Sequence, residues 1–95
     1  MENKVLTLEE VLARQQGAEV WVEHSADWRQ WDGVHVAQCD GMGRLVSLGI
    51  KPPPGSGWAA SFIKNHLNEF LRVWALPQPP TEEEKAANPW PEEKA

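Results

Sequence analysis

Two short stretches of this chain alternate apolar and polar residues, which is the pattern of strands that are buried on one face. In "AEVWVE", Val20 and Val22 share one face, while Trp21 lies between two glutamates on the other. The stretch "GVHVAQC" repeats the alternation around Val34 and Val36, and "RLVSLGI" follows it after the turn residues "DGMG". The sequence therefore predicts three successive strands of a small sheet.

A helix is predicted ahead of these strands. In "LTLEEVL", Thr7 stands at the N-cap and Glu10 follows three residues later. This spacing lets each side chain accept a hydrogen bond from a backbone N–H that the helix itself leaves unpaired. Gly17 supplies a residue that adopts the left-handed conformation at a helix end. The predicted helix covers residues 7–16.

The second half of the chain begins with the loop sequence "KPPPGSG" and continues with a stretch of mixed pattern. Residues 58–76, "WAASFIKNHLNEFLRVWAL", fit both a helical face and a strand, because short apolar runs do not separate the two by period alone. We interpret them as a short helix or helical loop up to about Leu67, followed by a strand through Trp74.

The C-terminal residues differ in composition from the rest. From Pro77 onward the chain consists mainly of Pro, Glu, Lys and Ala, with Trp90 as its large apolar residue. Such a segment has little apolar surface to bury. We therefore predict a single α+β domain over residues 1–77 and a Pro/Glu-rich acidic tail over 78–95, which could dock through Trp90.

The charge of the chain argues against some classes of partner. Its formal charge is −5, of which residues 81–95 contribute −3 through five glutamates and two lysines. A near-neutral body lacks the basic face that nucleic acids and anionic membranes attract. A lone Cys39 excludes an intrachain disulfide and fits a reducing compartment. With no apolar signal-peptide core at the start, we expect a cytoplasmic protein that binds neither nucleic acid nor membrane.

Catalytic and metal-binding motifs are absent from the sequence. It contains no phosphate-binding glycine loop, no zinc-protease motif, no nucleophile elbow and no cysteine pair. His24, His35 and His66 are scattered over three elements, so solvent-facing or hydrogen-bonded histidines are favoured over metal ligands. Asp27, Asp32 and Asp40 fall near loop ends, where aspartate commonly bonds the backbone. We expect no catalysis, no metal and no cofactor.

The six tryptophans are the strongest functional signal. Trp58 and Trp74 have apolar neighbours and are predicted to lie in the core. Trp21 points away from the buried side of its strand, so either the helix or the tail covers it, or it is exposed. Trp28 and Trp31 fall between the first two strands, three residues apart; Trp31 is an equal candidate for closing the end of the barrel.

The segment between the first two strands is the predicted contact surface. Trp beside Arg is a pair enriched at interface hot spots, and the same pair can clamp a nucleobase. The predicted site residues for a partner or ligand are His24, Asp27, Trp28, Arg29, Trp31 and Trp21.

Several stretches together carry a resemblance to a known group of proteins. They occur in the order "LTLEEVL", "VWVE", "LNEFLRVWAL" and "PPTEEEKAANPW". In this arrangement the chain resembles small proteins encoded in phages and prophages of Gram-positive gut bacteria. That family closes with a strand of the type Y-G-K-T-W-R-x-W; here Leu67, Phe70, Arg72 and Trp74 occupy roughly corresponding places, and Gly-Lys-Thr is missing. The resemblance implies a strongly bent SH3-like sheet (an SH3-like barrel) and a phage setting, but no activity.

Two main classes of function remain open. The first is a phage-derived binding protein that inhibits a host defence component by protein–protein contact. The second is a binder that sequesters a nucleotide-type immune signal with Trp28, Arg29 and His24. An accessory regulatory or morphogenesis protein is a third alternative. The slightly acidic body and the lack of a glycine-rich phosphate cradle favour the first.

We also expect a homodimer. Six tryptophans exceed what a core of this size readily encloses, and exposed aromatic patches commonly mark a partner surface. The commonest such partner is a second copy related by a two-fold axis. Trp21 or residues 24–31 are predicted to lie at or beside that interface.

Overall fold

The structure, a computed structural model, describes residues 3–50 and 57–89 and, among them, all side chains except those of Ala26 and Asp27. It is an α+β fold whose small antiparallel sheet curls into a five-stranded half-barrel. The elements in chain order are α1 (Leu8–Leu12), β1 (Glu19–His24), a 3₁₀ helix (Ala26–Trp31), β2 (Gly33–Cys39), β3 (Leu45–Ile50), β4 (Gly57–Ala59), α2 (Ala60–His66), β5 (Leu71–Trp74) and α3 (Glu82–Ala87).

The sheet has the strand order β4-β3-β2-β1-β5, with antiparallel pairing throughout. The three strands predicted from alternation are β1, β2 and β3. The short helix and the following strand predicted within residues 58–76 are α2 and β5. Strand β4 was not predicted, because Gly57 was assigned to the preceding loop. It forms one edge of the sheet, while Val5 and its neighbours bond the free side of β5 at the other edge.

Helix α1 has the predicted capping box but is shorter than predicted. Thr7 Oγ1 accepts from the Glu10 N–H at 3.2 Å, and Glu10 Oε1 accepts from the Thr7 N–H at 3.0 Å. The helix ends at Leu12: Ala13 and Arg14 still bond back to Glu9 and Val11, and from Gln16 onward the chain bonds strand β2. Gln16 Oε1 accepts from the Cys39 N–H at 2.7 Å, and the N–H of Gly17 donates to β2 as well.

The core fills the inner face of the curled sheet, against α1 and α2. Val20 and Val22 of β1 are fully buried there, as their alternation predicts. The buried apolar residues of this core are Leu6, Val11, Val20, Val22, Ala37, Leu45, Leu48, Ile63, Leu71 and Val73.

The outer face of the sheet carries a buried polar network. Glu23 Oε1 accepts from Arg72 Nε at 2.7 Å and from Trp74 Nε1 at 2.9 Å. Arg72 also donates to the backbone carbonyl of Asn88, just beyond α3. Trp74 is completely buried, as predicted, and the guanidinium carbon of Arg72 lies 5.1 Å from its ring centroid.

The segment after Pro77 is bound to this polar network through Arg72. Helix α3 has its own capping box, in which the Thr81 and Glu84 side chains accept each other's backbone N–H. Pro80 is buried, and the carbonyl of Asn88 is bound by Arg72. Trp90, through which the tail could dock, lies outside the described part of the chain.

Candidate binding site

A surface pocket of about 190 Å³ lies between the 3₁₀ helix and the β3–β4 edge of the sheet. Its described lining consists of Trp28, Trp31, Ile50, Gly57 and Trp58. Trp28 and Trp31 are each 42% exposed, so neither of them is a core residue that closes the barrel end. We call this the tryptophan pocket.

The 3₁₀ helix places Trp28 and Trp31 on the same side. A 3₁₀ helix has about three residues per turn, so side chains three positions apart lie on the same side. Residues 26–31 adopt this form, which directs both indoles towards the β3–β4 edge. Arg29, one position after Trp28, is exposed and does not belong to the described pocket lining.

Trp58 forms the fixed wall of the pocket. Its ring stacks on Phe62 with a centroid separation of 4.6 Å and an interplanar angle of 16°. Its Nε1–H donates to His24 Nε2 at 2.8 Å. Stacking and the hydrogen bond together hold the indole in one orientation, so this wall is organised before any partner binds.

His24 is a supporting residue rather than a contact residue. It is 2% exposed, and Asp32 Oδ1 lies 2.9 Å from its Nδ1. An indole N–H can only donate, so His24 Nε2 must accept from Trp58 and Nδ1 must carry the proton that Asp32 accepts. Asp32 Oδ1 also accepts from the His24 backbone N–H at 2.7 Å. Asp32, at the end of the 3₁₀ helix, therefore holds His24, and His24 holds Trp58.

His35 lies behind this arrangement and is completely buried. Its ring centroid is 6.2 Å from that of His24, and its Nδ1 lies 3.1 Å from the carbonyl oxygen of Gly33. Burial lowers the pKa of His35 to about 4, because it disfavours the charged ring more than the hydrogen bond to Gly33 favours it. Among the described residues, its Nε2 has no hydrogen-bond partner. His35 is therefore a neutral core residue at physiological pH.

The structure brings together only part of the predicted site. Trp28 and Trp31 line the pocket, with His24 buried behind them. Trp21 points to the opposite face of the sheet, where it is half-buried and pairs in register with Trp74. Asp27 lies in the 3₁₀ helix, and its side chain is outside the described part of the structure.

Three pocket residues were not predicted as site residues. Trp58 was assigned to the core, whereas it is partly buried and lines the pocket; Ile50 and Gly57 complete the lining. The available signal was Gly57, because a glycine beside a strand often marks the close approach of another backbone. A Cβ at this position would lie 2.0 Å from the Leu48 carbonyl oxygen.

Replacement of Gly57 by alanine tests this close approach. We expect strand β4 to separate from β3 and to displace Trp58, at a cost of about 1–3 kcal/mol in unfolding free energy, the range typical of overpacking. Urea denaturation measures the loss. The matched control is Gly41→Ala, where an added Cβ would meet nothing within 4 Å. Equal midpoints for the two variants would show that β4 does not depend on the glycine.

His24 is not placed to act as a general base. A general base needs a free nitrogen facing the substrate, and both His24 nitrogens are engaged with Asp32 and Trp58. Within residues 3–50 and 57–89, no three His, Cys, Asp or Glu side chains are grouped so that they could hold a metal ion. No helix in the same ranges combines the length and apolar character needed to cross a membrane.

Comparison with known proteins adds no relative. No protein-family model matches the chain, and no curated protein sequence or solved structure matches it either. The proposed binding surface therefore depends on the geometry of the tryptophan pocket.

Proposed function

We propose that the protein is a non-catalytic binding protein that holds a segment of a partner protein in the tryptophan pocket. The supporting observation is the exposure of Trp28 and Trp31, 42% each, beside a third tryptophan that is already fixed. Tryptophan is among the residues most enriched at interface hot spots. A wall that is ordered in advance also lowers the entropic cost of binding.

The polar groups around the pocket favour a protein partner over a nucleotide-type signal. A nucleotide needs donors for its phosphates and for the edge of its base. The described lining is mostly apolar; Trp58 already donates its indole N–H to His24, which leaves the indole N–H groups of Trp28 and Trp31 as the side-chain donors of that lining. Arg29 stands outside that lining, and His24 is buried. The clamp of Trp28, Arg29 and His24 is therefore not the arrangement that we propose.

The identity of the partner is proposed from the sequence resemblance. We propose a phage-derived inhibitor that acts in the host cytoplasm on a component of host defence, by protein–protein contact. The curled five-stranded half-barrel supports the SH3-like sheet that the resemblance implies. An accessory regulatory or morphogenesis role is the alternative, and the identity of the bound protein decides between them.

Affinity capture from an extract of a Gram-positive gut bacterium tests the proposal. The immobilised chain is compared with a Trp28→Ala/Trp31→Ala double variant and with Met42→Ala, which removes an exposed apolar side chain from the β2–β3 turn. We expect proteins that the wild type and Met42→Ala retain equally and that the double variant loses by about tenfold or more, as for hot-spot residues. Retention of the same proteins by the double variant would refute the proposal.

We also propose that the chain forms a homodimer, for which the exposed indoles of Trp28 and Trp31 provide apolar area. Sedimentation velocity at micromolar concentration should show a dimer. A dimer that the double variant dissociates would place the pocket at the self-interface, and the external partner would then bind elsewhere. A monomer at all accessible concentrations would contradict the dimer.

A further inference from the structure

We propose that the tryptophan pocket is an aromatic cage for a quaternary ammonium group, carried on a trimethylated lysine of the partner protein. This inference rests on the proposed function and specifies which chemical group the pocket recognises. It follows from three observations: the angle between the indoles, the absence of side-chain hydrogen-bond acceptors from the described lining, and the absence of basic side chains from it.

The indoles of Trp28 and Trp58 form two walls at a steep angle. Their ring centroids lie 6.3 Å apart and their planes are inclined by 71°. A cation in the corner between two such rings can lie within about 6 Å of both centroids, the range over which a ring attracts a cation. Trp31 supplies a third indole to the same pocket. Tryptophan is the aromatic residue with the strongest attraction of this kind.

The side chains of the described lining offer π surface and indole N–H donors but no acceptor. The Nε1–H of Trp58 is occupied by His24, an indole N–H can only donate, and Ile50 and Gly57 contribute no polar side-chain atom. An unmodified lysine ammonium brings three N–H donors, which would lose water without gaining a side-chain acceptor from these residues. A trimethylated ammonium has no N–H to satisfy. The pocket therefore favours the methylated form.

The charge and the size of the pocket also favour a small cation. No described lining residue is basic, so no side chain of that lining offers a phosphate or a carboxylate an opposite charge, whereas the three indole rings attract a cation. The pocket volume of about 190 Å³ is below the roughly 300–1,000 Å³ of whole-ligand sites, which suits a single headgroup at the end of a side chain.

The competing occupant is a neutral group such as a proline ring, since proline-rich segments also dock in aromatic grooves. Charge separates the two cases. A carbon isostere of trimethyl-lysine, in which tert-butyl replaces trimethylammonium, has nearly the same shape and apolar area but no positive charge. A cage binds the cation more tightly, whereas an apolar groove does not discriminate.

Calorimetric titration of the intact chain with blocked amino acids tests the cage. The probes are Nα-acetyl-Nε-trimethyl-lysine methylamide, its tert-butyl isostere, the unmodified lysine analogue and choline. We expect the trimethylated probe to bind about tenfold more tightly than the isostere and the unmodified lysine, which is the scale of a cation–π interaction removed from water. Trp28→Ala and Trp31→Ala should each weaken its binding by a similar factor, and Met42→Ala should not.

The contrary results distinguish failure of the cage from failure of the proposed function. Equal binding of the trimethylated probe and the isostere, or no binding of either, overturns the cage; the proposed function stands if protein capture still depends on Trp28 and Trp31. Tighter binding of choline than of trimethyl-lysine overturns the protein-borne source in favour of a free small molecule. Cation-selective binding without Trp-dependent capture of any protein refutes the proposed function and keeps only the ammonium site.

Discussion

Replacement of Arg72 by methionine is expected to lower the free energy of unfolding by about 3–5 kcal/mol, the usual cost of removing one partner of a buried ion pair. The guanidinium is 3% exposed and donates to Glu23 at 2.7 Å. Its removal leaves the Glu23 carboxylate buried without its cation. It also frees the carbonyl of Asn88 and so loosens the segment around α3. Urea denaturation followed by far-UV circular dichroism measures the loss.

Two further variants identify the cause of that loss. Arg44→Met breaks an ion pair with Asp40 whose arginine side chain is 73% exposed, and it should leave the unfolding free energy almost unchanged. A Glu23→Gln/Arg72→Met double variant removes the unpaired charge but keeps an acceptor for Trp74. It should recover about 1–3 kcal/mol relative to Arg72→Met alone. No recovery would mean that lost packing, and not the buried charge, causes the instability.

Acidification from pH 7 to pH 4 is expected to remove about 3 kcal/mol of stability through His35 alone. Burial lowers the pKa of this imidazole from 6.5 to about 4, so the folded protein keeps it neutral. As the pH falls below 6.5, the unfolded chain takes up a proton that the folded chain does not. The stabilisation is complete above pH 6.5, falls progressively down to about pH 4 and does not change further below that value.

The His35→Leu variant tests this pH dependence. Leucine removes the titrating group and the buried Nε2 that has no described partner, so the loss between pH 7 and pH 4 should shrink by about 3 kcal/mol. Urea midpoints measured across this range give the comparison. Leu48→Met, a volume-conserving change elsewhere in the core, should keep the wild-type dependence. Parallel pH profiles for wild type and His35→Leu would show that folding does not lower the pKa of His35.

The parts of the fold that depend on local pattern were predictable from the sequence. The alternation of Val20 and Val22 predicts β1 because one face of it is buried, and the Thr7–Glu10 spacing predicts the start of α1. The end of α1 was not predictable, since it depends on hydrogen bonds from Gln16 and Gly17 to β2, more than 15 residues away along the chain. Strand β4 has three residues, too few to show a period.

Only the part of the candidate site that depends on local pattern was predictable from the sequence. Trp28 lies among polar neighbours between two strands, and this local composition favoured a contact surface, but it left Trp31 an equal candidate for closing the end of the barrel. Trp58 has apolar neighbours along the chain, yet its orientation is fixed by His24, 34 residues away. That contact forms only when the sheet curls. Trp21 could not be separated from the site by pattern alone, because only the pairing of β1 with β5 shows that it faces Trp74.

The indole N–H signals of the chain give the most direct test of the pocket as the binding surface. A ¹⁵N-tryptophan-labelled sample is titrated with the captured partner protein, and the chemical shift of each indole is followed after assignment by single substitutions. We predict that the signals of Trp28, Trp31 and Trp58 shift on binding, while those of Trp21 and Trp74 keep their free-state positions. Shifts confined to Trp21 and Trp74, with the three pocket signals unchanged, would contradict the proposal and place the partner on the outer face of the sheet.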